Sequence, residues 1–215
     1  MIWKGQDLSE RNTALDYKRE ANRWAMEVPS IAGIWKHGDS IFNSSLAENT
    51  LLGAIRAAEL LGASVILVVL FKPNCPEVEE ESSAEPVASL FRKLAPKAAE
   101  AGVTLGLETS LSPADDKKLI DRVGQQNVKL YYDATNVETN HPGQGVSGIE
   151  LLGPRIIQCH LKNQDRLLNQ QPSSVDWTAA LRRTGTSDTT AGMFLRRRTR
   201  ALSSASRLHR KIFNS

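Results

Sequence analysis

Cysteine is scarce: Cys75 and Cys159 are the only two. Two isolated thiols build neither a disulfide framework nor a thiolate metal centre, and a reducing, cytoplasmic setting is the expectation. Long apolar runs are absent too. The longest, Val65 to Phe71, falls far short of the ~20 residues that cross a bilayer as a helix, so no membrane role is expected. The polar start, MIWKGQDLSE, has no signal-peptide core. No glycine-rich phosphate fingerprint follows any strand-like run, which argues against dinucleotide binding. Histidine is rare, with four in 215 residues. Glutamate stops at Glu150, and after Leu181 nine basic residues face a single acid, Asp188. Residues 1–181 carry a net charge of −5, so the pI near 8.9 belongs to the tail.

What is present is alternation. Asp7 to Glu27 reads as a helix, with apolar Leu8, Leu15, Trp24 and Ala25 among charges and Ser9 as a candidate cap. PSIAGIW, 29–35, reads as a short strand, and Leu46 to Leu61 as an amphipathic helix closed by Gly62. Ser64 to Phe71, continuously apolar and β-branched, has the composition of a strand covered on both faces. The acidic stretch KPNCPEVEEESS reads as a solvated loop, followed by a helix from Glu85 to Ala101. VTLGLET is a strand. Ser112 to Val123 is a helix with a Ser-Pro-Ala-Asp start, and VKLYYDATN is a strand. Gly145 to Leu152 is a short helix, RIIQCHLK a strand, and Val175 to Arg183 opens a last helix. Five strands separated by helices imply a parallel sheet, since a hairpin cannot join parallel neighbours. Units of ~25–35 residues fit an eight-fold βα barrel or a doubly wound sheet.

The chemistry sits at strand ends. VTLGLE ends at Glu108, VKLYYD at Asp133 and RIIQCH at His160, each one βα unit after the last. Three consecutive parallel strands then bring two carboxylates and an imidazole to one rim, which in a barrel is the catalytic C-terminal face. An O,O,N donor set suits Mn²⁺, Mg²⁺ or Co²⁺ and also holds Zn²⁺. Lys162 shares the face of His160 by two-residue alternation. Asn136 follows Asp133 by three residues, and His141 lies in the loop beyond it. His37 falls at the end of the first strand, while Trp3 and Trp35 read as core.

GVTLGLET, VKLYYDATN and RIIQCHLKNQD with the later VDW resemble the xylose isomerase-like TIM barrels, sugar-phosphate isomerases and epimerases whose relatives include endonuclease IV. The resemblance spans roughly residues 8–183 and implies an α/β fold, a (β/α)8 TIM barrel that is incomplete here. It implies a divalent cation held by Glu108, Asp133, His160 and a second glutamate at the eighth strand. In the epimerase branch two glutamates move a proton next to a carbonyl through an enediolate, so Glu108 would be both ligand and acid/base. Lys162, Asn136 and His141 would meet a small sugar or polyol. In the endonuclease branch a histidine commonly stands where this chain has Asn136, which counts against a tri-zinc repair site.

The expected second glutamate does not follow VDW. Thr186 to Arg197 can be back-translated with permitted codons so that another frame reads a strand-like run ending in glutamate. A frame shift near Gly185 would therefore account for both the missing residue and the arginine-rich end, and nucleic-acid binding by the tail is not expected. The expected partition is a partial barrel, residues 1–184, short at its front, and a basic tail, residues 185–215. The readings carried forward are a divalent-metal sugar isomerase or epimerase, an endonuclease IV-like metal hydrolase, and a non-catalytic barrel fragment. Homo-oligomerisation is left open.

Overall fold

The architecture comes from a computed structural model, which describes residues 7–33, 40–163, 166–186 and 192–195. Its elements run α1 (Arg11–Arg23), β1 (Ser30–Gly33), α2 (Ser44–Leu61), β2 (Val65–Leu70), α3 (Glu81–Glu100), β3 (Thr104–Thr109) and α4 (Pro113–Val123). They continue with β4 (Val128–Asp133), α5 (Ala134–Asn140), α6 (Ser147–Leu152), β5 (Ile156–Leu161), α7 (Trp177–Thr186) and β6 (Gly192–Leu195). All strand pairs are parallel, and the sheet order is β1-β2-β3-β4-β5-β6. Each strand thus lies beside its predecessor and the order never reverses. A doubly wound sheet must reverse, so the topology is that of an incomplete TIM barrel.

Local chemistry explains the elements. The side chains of Ile66, Val68, Leu70, Leu105 and Leu107 are fully buried, as expected for strands sealed by helices. α3 contributes Val87, Phe91, Leu94, Ala95 and Ala98 to the same core. Ser112 caps α4 by accepting from Asp115 N–H at 3.2 Å, with Pro113 at the first helical position.

The structure departs from the sequence reading at several points. VKLYYDATN is strand only to Asp133; Ala134 onward turns into α5 because the Asp133 side chain caps that helix. α3 begins at Glu81 rather than Glu85. Its acidic approach is exposed but not merely solvated: Glu79 pairs with Lys118, and Glu81 with Arg122 at 2.6 Å, tying the α3 entrance to α4. Ser9 does not cap α1, whose N-cap residue is Glu10, and Trp24 is exposed. Residues 192–195, placed in the tail by the sequence reading, form a sixth strand paired with β5. His37, Trp3, Trp35 and the segments 187–191 and 196–215 lie outside the described residues.

One close approach controls the packing near the site. A Cβ on Gly148 would stand 2.3 Å from the Tyr132 hydroxyl and 2.7 Å from Pro113 Cγ. Tyr132 donates to Gly145 O at 2.8 Å, so its ring cannot swing away without breaking that bond. Gly148→Ala is therefore expected to destabilise the fold by about 1–3 kcal/mol, the usual range for overpacking, read from urea unfolding midpoints.

Candidate metal and substrate site

Three strands deliver the site. Glu108 is the penultimate residue of β3, Asp133 the last of β4 and His160 the penultimate residue of β5. The register between β4 and β5 matters here. Leu130 pairs with Ile156, but Tyr131 pairs with Gln158, so one residue of β5 is skipped. That irregularity puts Asp133 opposite His160; without it the aspartate would face Cys159, whose side chain points to the other side of the sheet. Beneath the imidazole the Tyr131 ring lies 4.5 Å away, centroid to centroid. Gly106 admits Tyr131, since a Cβ there would sit 3.3 Å from Tyr131 Cβ and from Ile157 Cγ2.

The three side chains meet. Glu108, Asp133 and His160 are each buried, and each offers a ligand atom within 4.8 Å of the other two. His160 Nδ1 lies 3.1 Å from Glu108 Oε1 and 3.6 Å from Asp133 Oδ2. Ligand atoms bound to one ion at about 2.1 Å and at right angles would be about 3 Å apart, close to these spacings.

Asp133 divides its two oxygens. Oδ1 accepts from the N–H groups of Thr135 and Asn136, each at 3.0 Å, and so caps α5. Oδ2 is buried and accepts no well-aligned hydrogen bond, although Lys162 Nζ stands 2.6 Å away. A buried carboxylate oxygen needs a cation beside it, which the Lys162 ammonium or a bound metal ion supplies. The donor set and this oxygen together fit a divalent cation.

Around the three side chains the polar network is continuous. Asn136 Nδ2 donates to Glu108 Oε1 at 3.1 Å, while Lys162 Nζ donates to Asn136 Oδ1 at 2.6 Å. Thr135 Oγ1 donates to Lys162 O at 2.9 Å and fixes the end of β5 against α5. Burial works against the protonated form of His160, but its contacts with Asp133 and Glu108 outweigh that and raise its pKa. For Asp133, burial pushes the pKa up, and the close positive groups His160 and Lys162 overcome it and hold it below the ordinary carboxylate value.

The remaining sequence candidates fall in two groups. Lys162 and Asn136 are part of the cluster. His141 is not part of that cluster: its Nε2 is 3.0 Å from Ser110 O, where it ties the loop after α5 to the loop after β3.

Sequence reasoning missed a buried acid just behind the site. Asp116 of α4 is 3% exposed and accepts from Thr109 Oγ1 at 2.6 Å, and that hydroxyl accepts from Leu111 N–H at 3.0 Å. Burial, opposed by the Thr109 hydrogen bond and reinforced by Asp115, pushes its pKa up to about 7. The one available signal was Thr109, which alternates with Glu108 and so must face the helices.

Residues 44–184 match a family model described as xylose isomerase-like TIM barrel. No curated protein matches the chain by sequence. Among solved structures the chain is similar to 3-keto-D-glucoside 4-epimerase YcjR from E. coli, with a TM-score of 0.74 and 13% identity, covering 97% of this chain and 85% of that one. It is similar to D-allulose 3-epimerase from Methylomonas sp., solved with D-allulose, with a TM-score of 0.74 and 15% identity over 89% of this chain and 70% of that one. It is also similar to a family 2 AP endonuclease from Brucella melitensis, with a TM-score of 0.72 and 12% identity over 93% and 83%. At these identities the likeness establishes the fold.

Proposed function

The chain belongs to the xylose isomerase-like TIM barrel family, and from that premise we propose that it is a divalent-cation-dependent sugar isomerase or epimerase. The observation that carries this reading is the meeting of two buried carboxylates and a buried imidazole at the ends of three consecutive parallel strands. Glu108, Asp133 through Oδ2 and His160 through Nδ1 would hold Mn²⁺, Mg²⁺, Co²⁺ or Zn²⁺. When bound, the cation would polarise the carbonyl and neighbouring hydroxyl oxygens of the sugar.

The chain's own groups would do the rest. Glu108 would take the proton from the carbon next to the carbonyl, leaving the electron pair shared between that carbon and the carbonyl; delivery of the proton to the neighbouring carbon completes an isomerisation, whereas epimerisation would need a second acid on the opposite face. Asn136, donating to Glu108 Oε1, fixes the carboxylate's orientation for that transfer. Lys162 offers a cation to a substrate hydroxyl or carboxylate. His141 would contribute by anchoring the loop beside the site.

Proton exchange next to a carbonyl needs only one base, so deuterium wash-in is the sensitive assay. Protein supplied with MnCl2 in D2O is expected to place deuterium at the carbon adjacent to the carbonyl of an aldose or ketose, followed by NMR. Glu108→Gln is expected to slow this by roughly 10²–10⁴-fold, the range for loss of a general base. Absence of exchange across free and phosphorylated sugars, with Mn²⁺ bound, would sink the catalytic reading and favour a non-catalytic barrel. The Brucella neighbour motivates a second reading, a metal-dependent phosphodiesterase. It is the weaker one, because the cluster among the described residues holds a single imidazole and its other nearby side chains are Asn136 and Lys162. Cleavage of abasic DNA by the Mn²⁺- or Zn²⁺-supplied protein would reverse that preference.

A further inference from the structure

We propose that Lys162 is a built-in counter-cation that contends with the divalent ion for Asp133 Oδ2 and sets the site's affinity below what its three ligands alone would provide. This rests on the reading of Glu108, Asp133 and His160 as a cation site.

Three observations carry it. Asp133 Oδ1 is committed to the backbone N–H groups of Thr135 and Asn136, so Oδ2 is the oxygen left for a cation. Lys162 Nζ already stands 2.6 Å from that oxygen. Lys162 is also held there from two further directions: its ammonium donates to Asn136 Oδ1 at 2.6 Å, and its carbonyl accepts from Thr135 Oγ1 at 2.9 Å. An unanchored lysine near a metal ligand would swing into water at little cost. This one loses a hydrogen bond to a side chain that is itself bonded to Glu108, a second ligand. The Lys162 side chain is 19% exposed and that of Asp133 1%, so water screens their interaction weakly. A divalent ion must therefore share Oδ2 with a positive charge or displace it, and both options cost affinity.

The test is direct Mn²⁺ titration at one fixed pH, by calorimetry and by the EPR signal of free Mn²⁺, with no turnover required. Lys162→Met keeps the length of the stem and removes the charge; it is expected to bind Mn²⁺ about 10–100-fold more tightly than the native chain. Lys162→Gln, which retains a donor for Asn136, should move the same way and serves if the methionine variant folds poorly. Lys162→Arg, which keeps the charge, should stay within about 3-fold of native. Equal or weaker binding in both neutral variants overturns the inference while leaving the cation site standing. Binding in neither the native chain nor the neutral variants overturns the inference together with the reading on which it rests.

Discussion

Asp133→Ala is expected to abolish divalent-cation binding and to weaken the fold, two effects that trace to different oxygens of one carboxylate. Losing Oδ2 removes a ligand and half of the buried negative charge that would attract the ion. Mn²⁺ affinity should fall by at least about 100-fold, the order expected for removal of a charge in a poorly screened site. Losing Oδ1 uncaps α5, whose Thr135 and Asn136 N–H groups have that oxygen as acceptor. A lost cap costs about 0.5–2 kcal/mol. The Lys162 ammonium, stripped of its ion-pair partner while mostly buried, adds to the penalty. Asp133→Asn separates the two. Its side-chain oxygen can still cap α5, but its NH2 group must face Lys162, so cation binding is lost and the cap retained. Calorimetric titration with MnCl2 and urea unfolding of both variants provide the readouts. Unchanged Mn²⁺ affinity in both variants would show that the strand-end cluster is not a cation site.

Asp116→Asn should produce the second large effect, a change in how stability depends on pH. The folded carboxyl ionises near pH 7, against 3.8 for a free aspartate. Below about pH 4 the group is protonated in both folded and unfolded chains and contributes nothing to the difference. Between about pH 4 and 7 the unfolded chain ionises while the folded chain stays protonated, so native stability falls as pH rises, and it levels above 7. The full loss is at most about 4 kcal/mol, from the conversion of pKa to free energy, and Asp116→Asn should recover about 2–4 of it at pH 8. Thr109 keeps an acceptor in that variant. His160, with its pKa raised, acts in the same direction: its contribution is complete below its unfolded pKa and disappears as pH rises through the folded one. Asp133, with its pKa lowered, acts oppositely, losing its contribution as pH falls. Both are shared by native chain and variant, so the difference between the two urea-denaturation profiles from pH 4 to 8 isolates Asp116. Parallel profiles would mean that the Asp116 carboxyl is charged in the native fold at neutral pH.

How much of this was visible in the primary structure depends on the distance over which each feature is determined. The helix start at Ser112-Pro113 and the strands around Ile66 and Leu105 are local patterns, and they form where composition places them. The candidate ligands were legible because polar residues closing apolar runs are unusual and recur once per βα unit. Which face they share was not, because a one-residue slip turns every side chain over. The skipped residue opposite the Leu130–Tyr131 step supplies that alignment, and no spacing count contains it. Asp133 shows the same limit in another form. The sequence reading took it as a candidate ligand, yet one of its oxygens caps α5 while the other faces His160 and Lys162.

The amino-acid sequence by itself determined an alternating α/β chain, parallel strands, and a carboxylate, a carboxylate and an imidazole at three successive strand ends, because each of these follows from residue type and short-range periodicity. Only the tertiary structure decided that the strands lie in chain order, that the three side chains face one point, that Lys162 leans on Asp133, and that of the adjacent pair Asp115 and Asp116 the second is buried. Those outcomes depend on register and packing between segments far apart in the chain, where the energy of a contact is set by the partner's position rather than by the residue's own preference.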